Sequence, residues 1–283
     1  MKRPVFFLAG KEFNRPAGWS PIPLTGWFVM ISVMLLIMTG GVSAQQQEIL
    51  TAPAPDMKAL LDQLKGDDTF TADTAADALV AFGDAAVAPL LDLLDPSRRD
   101  ACAGAMKALA AIGDTRAVAP IMTLLEQLKP TPHDHDTFAL EYLRHEAIRS
   151  LGVLGDRKAI PLLRQAAESS DRHDRVRALT GLARLDAPDA LPALAAYVTH
   201  EDAALRSMAV SCLGELGGDR VLEFLVRAVD DPQWFVRDAA AEALGKLDSR
   251  RARNALESLR RDPNPFVRRT AEHALKSMAP GEL

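Results

Sequence analysis

Aromatic side chains are scarce in this chain of 283 residues, at 5%, and cysteine occurs only at Cys102 and Cys212. Two cysteines allow at most one disulfide. There is no Walker-type glycine-rich loop, no GxSxG, no CxxC and no HExxH. The local sequence therefore offers no phosphate cradle, serine nucleophile elbow, dithiol pair or zinc-protease helix. A net positive field is also missing. Beyond residue 44 the four bases and one acid of the N-terminal segment drop out, leaving 29 Lys/Arg against 37 Asp/Glu, a net charge of −8. Such a body does not attract nucleic acid or anionic lipid by its overall field, and no nucleic-acid partner is expected. What fills the chain instead is alanine and leucine, which suits closely packed helices and suits strands poorly.

Residues 1–44 are a different material. Lys2, Arg3, Lys11 and Arg15 precede the apolar run IPLTGWFVMISVMLLIM, followed by TGGVSA and then by QQQE. A basic start, an apolar stretch and small residues at Val42 and Ala44 predict an export signal cut after Ala44. The run is also long enough, at ~17–20 residues, to remain as an anchor, so residues 22–39 would then attach the chain to a membrane. In either case the basic end stays inside and the body is carried out, to the periplasm or cell envelope. Residues 45–55 read as a flexible linker and 56–283 as the folded body.

The body repeats. The last apolar residue before a GD-like turn falls at Phe82, Ile112, Leu154, Leu185, Leu216, Leu247 and Met278, in steps of 30, 42, 31, 31, 31 and 31. The long step holds an insertion at 129–137 around KPTPHDHDTF. Seven, four, three and zero places before each landmark lies one apolar stripe, such as Ala105, Ala108, Leu109 and Ile112. That spacing is one face of a helix. After the landmark, Asp84, Asp114, Asp156 and Asp219 are candidate caps of a leucine-rich helix, with Pro89, Pro120, Pro161 and Pro192 near its start. Neither helix can bury its stripe alone, so the units must stack. The expected fold is an all-α, right-handed α-solenoid of about seven helix pairs. Units in such a stack are roughly 10 Å apart, so Cys102 in the second and Cys212 in the fifth are ~30 Å apart, too far for a disulfide.

The segments DDPQWFVRDAAAEALGKLD and DPNPFVRRTAEHALKSM resemble HEAT-like repeats of the short kind found in phycobilisome-lyase relatives. The resemblance spans residues 56–278 and implies fold far more than function. It implies a structural ladder between turn aspartates and the arginines of VR, here Arg144, Arg206, Arg237 and Arg268, with Arg175 one place out of line. Ala72 and Cys102 take that place in the first two units.

The pair His145–Glu146 in LRHEAIRSLG is similar to the iron-binding motif of deoxyhypusine hydroxylase, a HEAT-like enzyme. This is the basis of an alternative reading, a metal-dependent enzyme. The same slots elsewhere hold no second His-Glu pair, and one pair cannot hold two irons. His133, Asp134, His135 and Asp136 in the insertion, folded back toward His145, are a reduced metal candidate, but two prolines and the lack of pre-organisation make a solvated loop the preferred reading. No cofactor, metal ligand or catalytic residue is assigned.

The preferred reading is a non-catalytic scaffold or adaptor that docks another protein or peptide in a concave groove. The polar positions nine and five places before the landmark face away from the stripe. They include His145, Arg149, Asp238, Glu242, Arg269 and His273 as candidate partner contacts. Charge along the chain is graded, with ten acids and four bases in residues 56–100 and three acids and eight Lys/Arg in 249–276.

Overall fold

The computed structural model describes residues 56–66, 69–128, 137–247 and 249–278. The expected signal or anchor, the linker, and His133, Asp134, His135 and Asp136 lie outside them. Among the described residues there are fourteen α-helices and no strand, and no helix is long and apolar enough to cross a membrane. They form seven pairs. The leucine-rich members are α1 (Met57–Leu64), α3 (Asp84–Leu91), α5 (Val118–Gln127), α7 (Ile160–Ala167), α9 (Ala190–Ala196), α11 (Asp219–Ala228) and α13 (Arg250–Leu259). The alanine-rich members are α2 (Thr69–Leu79), α4 (Arg99–Ile112), α6 (Thr137–Leu154), α8 (Arg172–Arg184), α10 (Ala203–Leu216), α12 (Trp234–Gly245) and α14 (Pro265–Ser277). Successive alanine-rich helices pack against one another along the whole stack, much more closely than successive leucine-rich ones do.

The reason lies in the stripe. Seven places before the landmark every unit carries alanine, and Ala75, Ala105, Ala147, Ala178, Ala209, Ala240 and Ala271 are all at 0% exposure. Two places before it the third, fifth and sixth units carry Gly152, Gly214 and Gly245, which face the small residues four places before the next landmark, Gly181, Ala243 and Ala274, and let the backbones approach. A Cβ placed on Gly152 would come within 2.5 Å of Gly181 Cα, and one on Gly214 or Gly245 would meet Ala243 or Ala274 Cβ at 2.5 or 2.6 Å. Leucines such as Leu79, Leu109, Leu151 and Leu213 then fill the space between the layers at 0% exposure. The apolar core runs in two stretches that meet at α8, where Ala178 belongs to the first and Val176 to the second.

The turn after each of the first five landmarks takes a residue at positive φ. Gly83, Gly113, Gly155 and Gly217 supply it at φ of 54, 77, 74 and 64°, and Asp186 takes the same place at φ 53°. Aspartate is one of the few side chains that tolerates this region. The expected caps divide. Asp114 and Asp156 accept from Arg116 N and Lys158 N, at 2.9 Å each, across short 3-10 turns that lead into α5 and α7. Asp84 and Asp219 are instead the first residues of α3 and α11, behind capping glycines, so they act on the helix dipole and not as side-chain caps. Side-chain caps also start alanine-rich helices, where Asp171, Asp202 and Asn264 accept from His173, Ala204 and Phe266 N–H groups.

The arginine ladder is complete only in the C-terminal half. Arg206 bonds Asp231 at 2.7 and 2.9 Å, and Arg237 bonds Asp262 at 2.6 and 2.8 Å. Each also gives its second terminal nitrogen to two carbonyls five and six residues back. Arg268 makes the same carbonyl bonds to Asp262 and Pro263. So does Arg175, to Ser169 and Ser170, which corrects the expectation that it is out of line. Its Nε finds the hydroxyl of Tyr197, because His200 stands where a ladder aspartate would be. Ser169 stands likewise one unit earlier, and Arg144 turns to Asp174 at 2.6 Å.

Candidate functional site

The face of the alanine-rich helices opposite the stripe is built from positions twelve, nine and five before the landmark, which are i, i+3 and i+7 on one helix. Among the described residues five large apolar side chains are exposed: Phe70 (79%), Tyr142 (49%), Val153 (37%), Trp234 (42%) and Phe266 (51%). Four of these five fall on that face. Phe70, Tyr142 and Phe266 are twelve places before their landmarks and Trp234 is thirteen. In a chain with few aromatics this concentration is the main feature of the face. Reading only the nine and five positions missed it, although the landmark count would have found it one turn earlier.

At the C-terminal end the aromatics form a cluster. Trp234 and Phe266 have ring centroids 5.7 Å apart, Phe235 meets Trp234 edge-on at 6.0 Å, and the Arg269 guanidinium lies 5.4 Å over Phe266. Such cation–π contact leaves the cation on the surface while covering part of a ring. Glu242 pairs with Lys246 at 2.8 Å, and His273 is exposed. Asp238 is half-buried, with Oδ1 making no hydrogen bond. At the N-terminal end Lys107 bridges Asp73 and Asp77 of the neighbouring unit at 3.4 and 3.3 Å. These pairs are exposed and add little stability. They show that polar groups of adjacent units do meet across this face. The row is interrupted, however: Ala103 and Thr180 are buried, with Thr180 bonded to Val176 O, and are not surface contacts.

Between the ends lies a polar cluster on α6 and α8. The side chains of His145 and Glu146 diverge. The Glu146 carboxylate is taken by Arg149, through a fork of 2.6–3.1 Å, and by Ser150 at 3.1 Å. His145 Nε2 points the other way, to Asp171 Oδ2 at 3.1 Å and Asp174 Oδ1 at 3.5 Å. The motif that resembles an iron-binding pair is thus not a paired ligand set. Asp171 is held below the usual carboxylate range. Burial acts against this, but the His173 N–H and the bond to His145 together outweigh it. Of the six residues expected to contact a partner, His145 and Arg149 stand on α6, Asp238 and Glu242 on α12, and Arg269 and His273 on α14. They share one face of the stack but make no single pocket.

A stack of helix pairs with a buried stripe of small residues defines an α-solenoid. The chain is a HEAT-like repeat protein: the HEAT repeats family model matches residues 139–206 and 194–276, and the PBS lyase HEAT-like repeat model matches 101–127, together more than half of the chain. No curated protein matches it. Similar solved structures include human deoxyhypusine hydroxylase in complex with glycerol, at 21% identity over 90% of this chain and 98% of that one, with a TM-score of 0.38. They also include the CpcE–CpcF complex of phycocyanin lyase from Nostoc sp. PCC7120, at 21% identity over 81% and 97%, with a TM-score of 0.46. A designed armadillo repeat protein in complex with the peptide (KR)4 matches at 16% identity over 80% and 100%, with a TM-score of 0.40.

Proposed function

We propose that this protein is a non-catalytic scaffold or adaptor that binds an extended protein segment along the face of its alanine-rich helices. The observation that carries this reading is the placement of Phe70, Tyr142, Trp234 and Phe266 on one face of the alanine-rich helices, beside the charged row. Aromatic anchors with a polar surround are what interfaces concentrate. The tight packing of the alanine-rich layer supports placing it on the inside of the curve, since the layer with the shorter repeat distance is the concave one. Acidic Asp73 and Asp77 at one end and basic Arg269 and His273 at the other favour a partner of the opposite polarity. Such a gradient orients the partner and speeds its encounter more than it tightens binding. The basic and apolar N-terminal segment supports export, so the partner belongs to the cell envelope.

Paired reversals test the face. The captured partner of the mature protein from its own cell envelope is first identified, and its binding is then measured with purified variants. Arg149→Glu with Arg269→Glu, and separately Tyr142→Ser with Trp234→Ser and Phe266→Ser, should weaken binding at least about tenfold, which is ~1.4 kcal/mol. Arg164→Glu with Arg227→Glu, exposed on the leucine-rich layer, should not. Equal effects of the two arginine pairs would reject the assignment.

A further inference from the structure

The fourth unit breaks the repeat at one slot. Eleven places before the landmark the first unit carries an exposed Thr71, and the second, third, fifth, sixth and seventh carry Ala101, Leu143, Leu205, Val236 and Val267, none more than 6% exposed. In the fourth unit the slot holds Asp174, at 0% exposure. A carboxylate in an apolar core position is costly unless its oxygens are used. Oδ2 is used: it accepts from Arg144 Nε at 2.6 Å and Ser169 Oγ at 3.1 Å. Oδ1 accepts no hydrogen bond and faces His145 Nε2 at 3.5 Å.

We propose that His145, Asp171 and Asp174 bind a divalent transition-metal ion of the Zn²⁺ type, between the third and fourth units. One donor atom from each of the three lies within 4.8 Å of the others. Bonds of ~2.0–2.1 Å in a tetrahedral site put neighbouring donors ~3.3–3.4 Å apart. The separations from His145 Nε2, 3.1 Å to Asp171 and 3.5 Å to Asp174, bracket that edge. One imidazole with two carboxylates suits Zn²⁺ and its first-row neighbours, not Ca²⁺ or Mg²⁺, which take oxygen ligands alone. Arg144 offsets one of the two carboxylate charges and leaves the other for the cation.

The supporting contacts fit the same role. Asp171 is placed by its capping bond to His173 N at 2.8 Å, so its second oxygen is aimed by the start of α8. His173 is half-exposed at the mouth, with its ring 5.8 Å from that of His145 and its Nδ1 3.3 Å from Asp171 Oδ1. Three protein ligands leave a coordination position for water or for a donor from outside. A proton on His145 Nε2 would occupy the place of the ion, so proton and cation compete there. This set shares His145 with the pair suggested by resemblance, but Glu146 has no part in it. It lies on the docking face, since His145 is also a candidate partner contact, but ion binding to the purified chain is read without any partner present.

The test uses the mature protein freed of metal with a chelator and titrated with Co²⁺, followed by visible absorption and by competition with Zn²⁺. The expected result is one Co²⁺ per chain, displaced by Zn²⁺. His145→Gln and Asp174→Asn should each weaken binding at least about tenfold, as loss of even a supporting contact does at such sites, while Glu146→Gln binds as the unaltered protein does. Should Asp174→Asn fail to fold, the part-exposed His145→Gln carries the test. Absence of saturable binding at one per chain, or full affinity in His145→Gln, overturns the proposal. So does loss of binding on replacing His133 and His135 alone.

Discussion

The contact between Gly152 and Gly181 makes a quantitative test of how the stack is held. In Gly152→Ala the new methyl carbon would lie 2.5 Å from Gly181 Cα, 3.4 Å from its nitrogen and 3.7 Å from its carbonyl carbon. Carbon atoms rest at ~3.5–4.0 Å, so α6 and α8 must part by about 1 Å, and backbone cannot rotate aside. Overpacking of this kind costs ~1–3 kcal/mol, and the hard backbone contact places this case at the upper end. Against it stands a gain of ~0.8–1.0 kcal/mol for alanine over glycine inside a helix. The net loss is about 2 kcal/mol, or a fall of roughly 4–8 °C in Tm for a body of this size. Two controls isolate the cause. A Cβ on Gly104 would also meet an atom at 2.5 Å, but that atom is Leu64 Cδ1, the far end of a side chain that can move. On Gly181 it would meet Gly152 Cα at 3.1 Å and Leu163 Cδ1 at 3.3 Å, a much milder contact. Both variants should stay within about 1 kcal/mol of the parent. Urea denaturation and thermal melts of the three variants provide the ranking. If Gly152→Ala matches or exceeds the parent in stability, the close approach of these helices is not what holds the third and fourth units together.

Acid should weaken the C-terminal ladder. Arg237 above all holds the Asp262 carboxyl below the usual range; for Asp231, burial acts against the shift, but Arg206 and the Gln233 N–H together outweigh it. A carboxylate depressed in the folded state stabilises fully above its unfolded value of ~3.9, and that contribution is lost as pH falls through the folded value. Melting temperatures should therefore drop below about pH 4, and Arg237→Met should cost roughly 3 kcal/mol at pH 7 while making the acid loss shallower; an unchanged acid profile in that variant would remove the ladder as its source. Burial, with a smaller contribution from Asp95, pushes the Cys102 thiol up to about 12, and burial raises Cys212 as well, so neither should react with a thiol reagent at pH 8 until the chain is unfolded, when two thiols should titrate. Intact mass from the native host should show a chain starting at Gln45; a full-length chain in the membrane fraction would instead favour the anchor.

The period, the seven alanines of the stripe and the left-handed turn residues are legible without a structure because each is local. A helix repeats every 3.6 residues, so the residues that must be small or apolar recur at set distances from a landmark wherever the unit sits in the stack. The pairing partners of Arg206 and Arg237 follow for the same reason, since neighbouring units there have the same length and the same turn. The centre of the stack is different. Only the tertiary arrangement turns Arg144 toward Asp174, separates His145 from Glu146 and brings it to Asp171 and Asp174, 26 and 29 positions on in the chain. Those contacts depend on how far one helix rotates and slides against the next, which is set by the packing of Gly152 on Gly181 across two units. No periodicity along one helix carries that information, and so the sequence by itself determined the repeat while the stacking decided which charged groups meet.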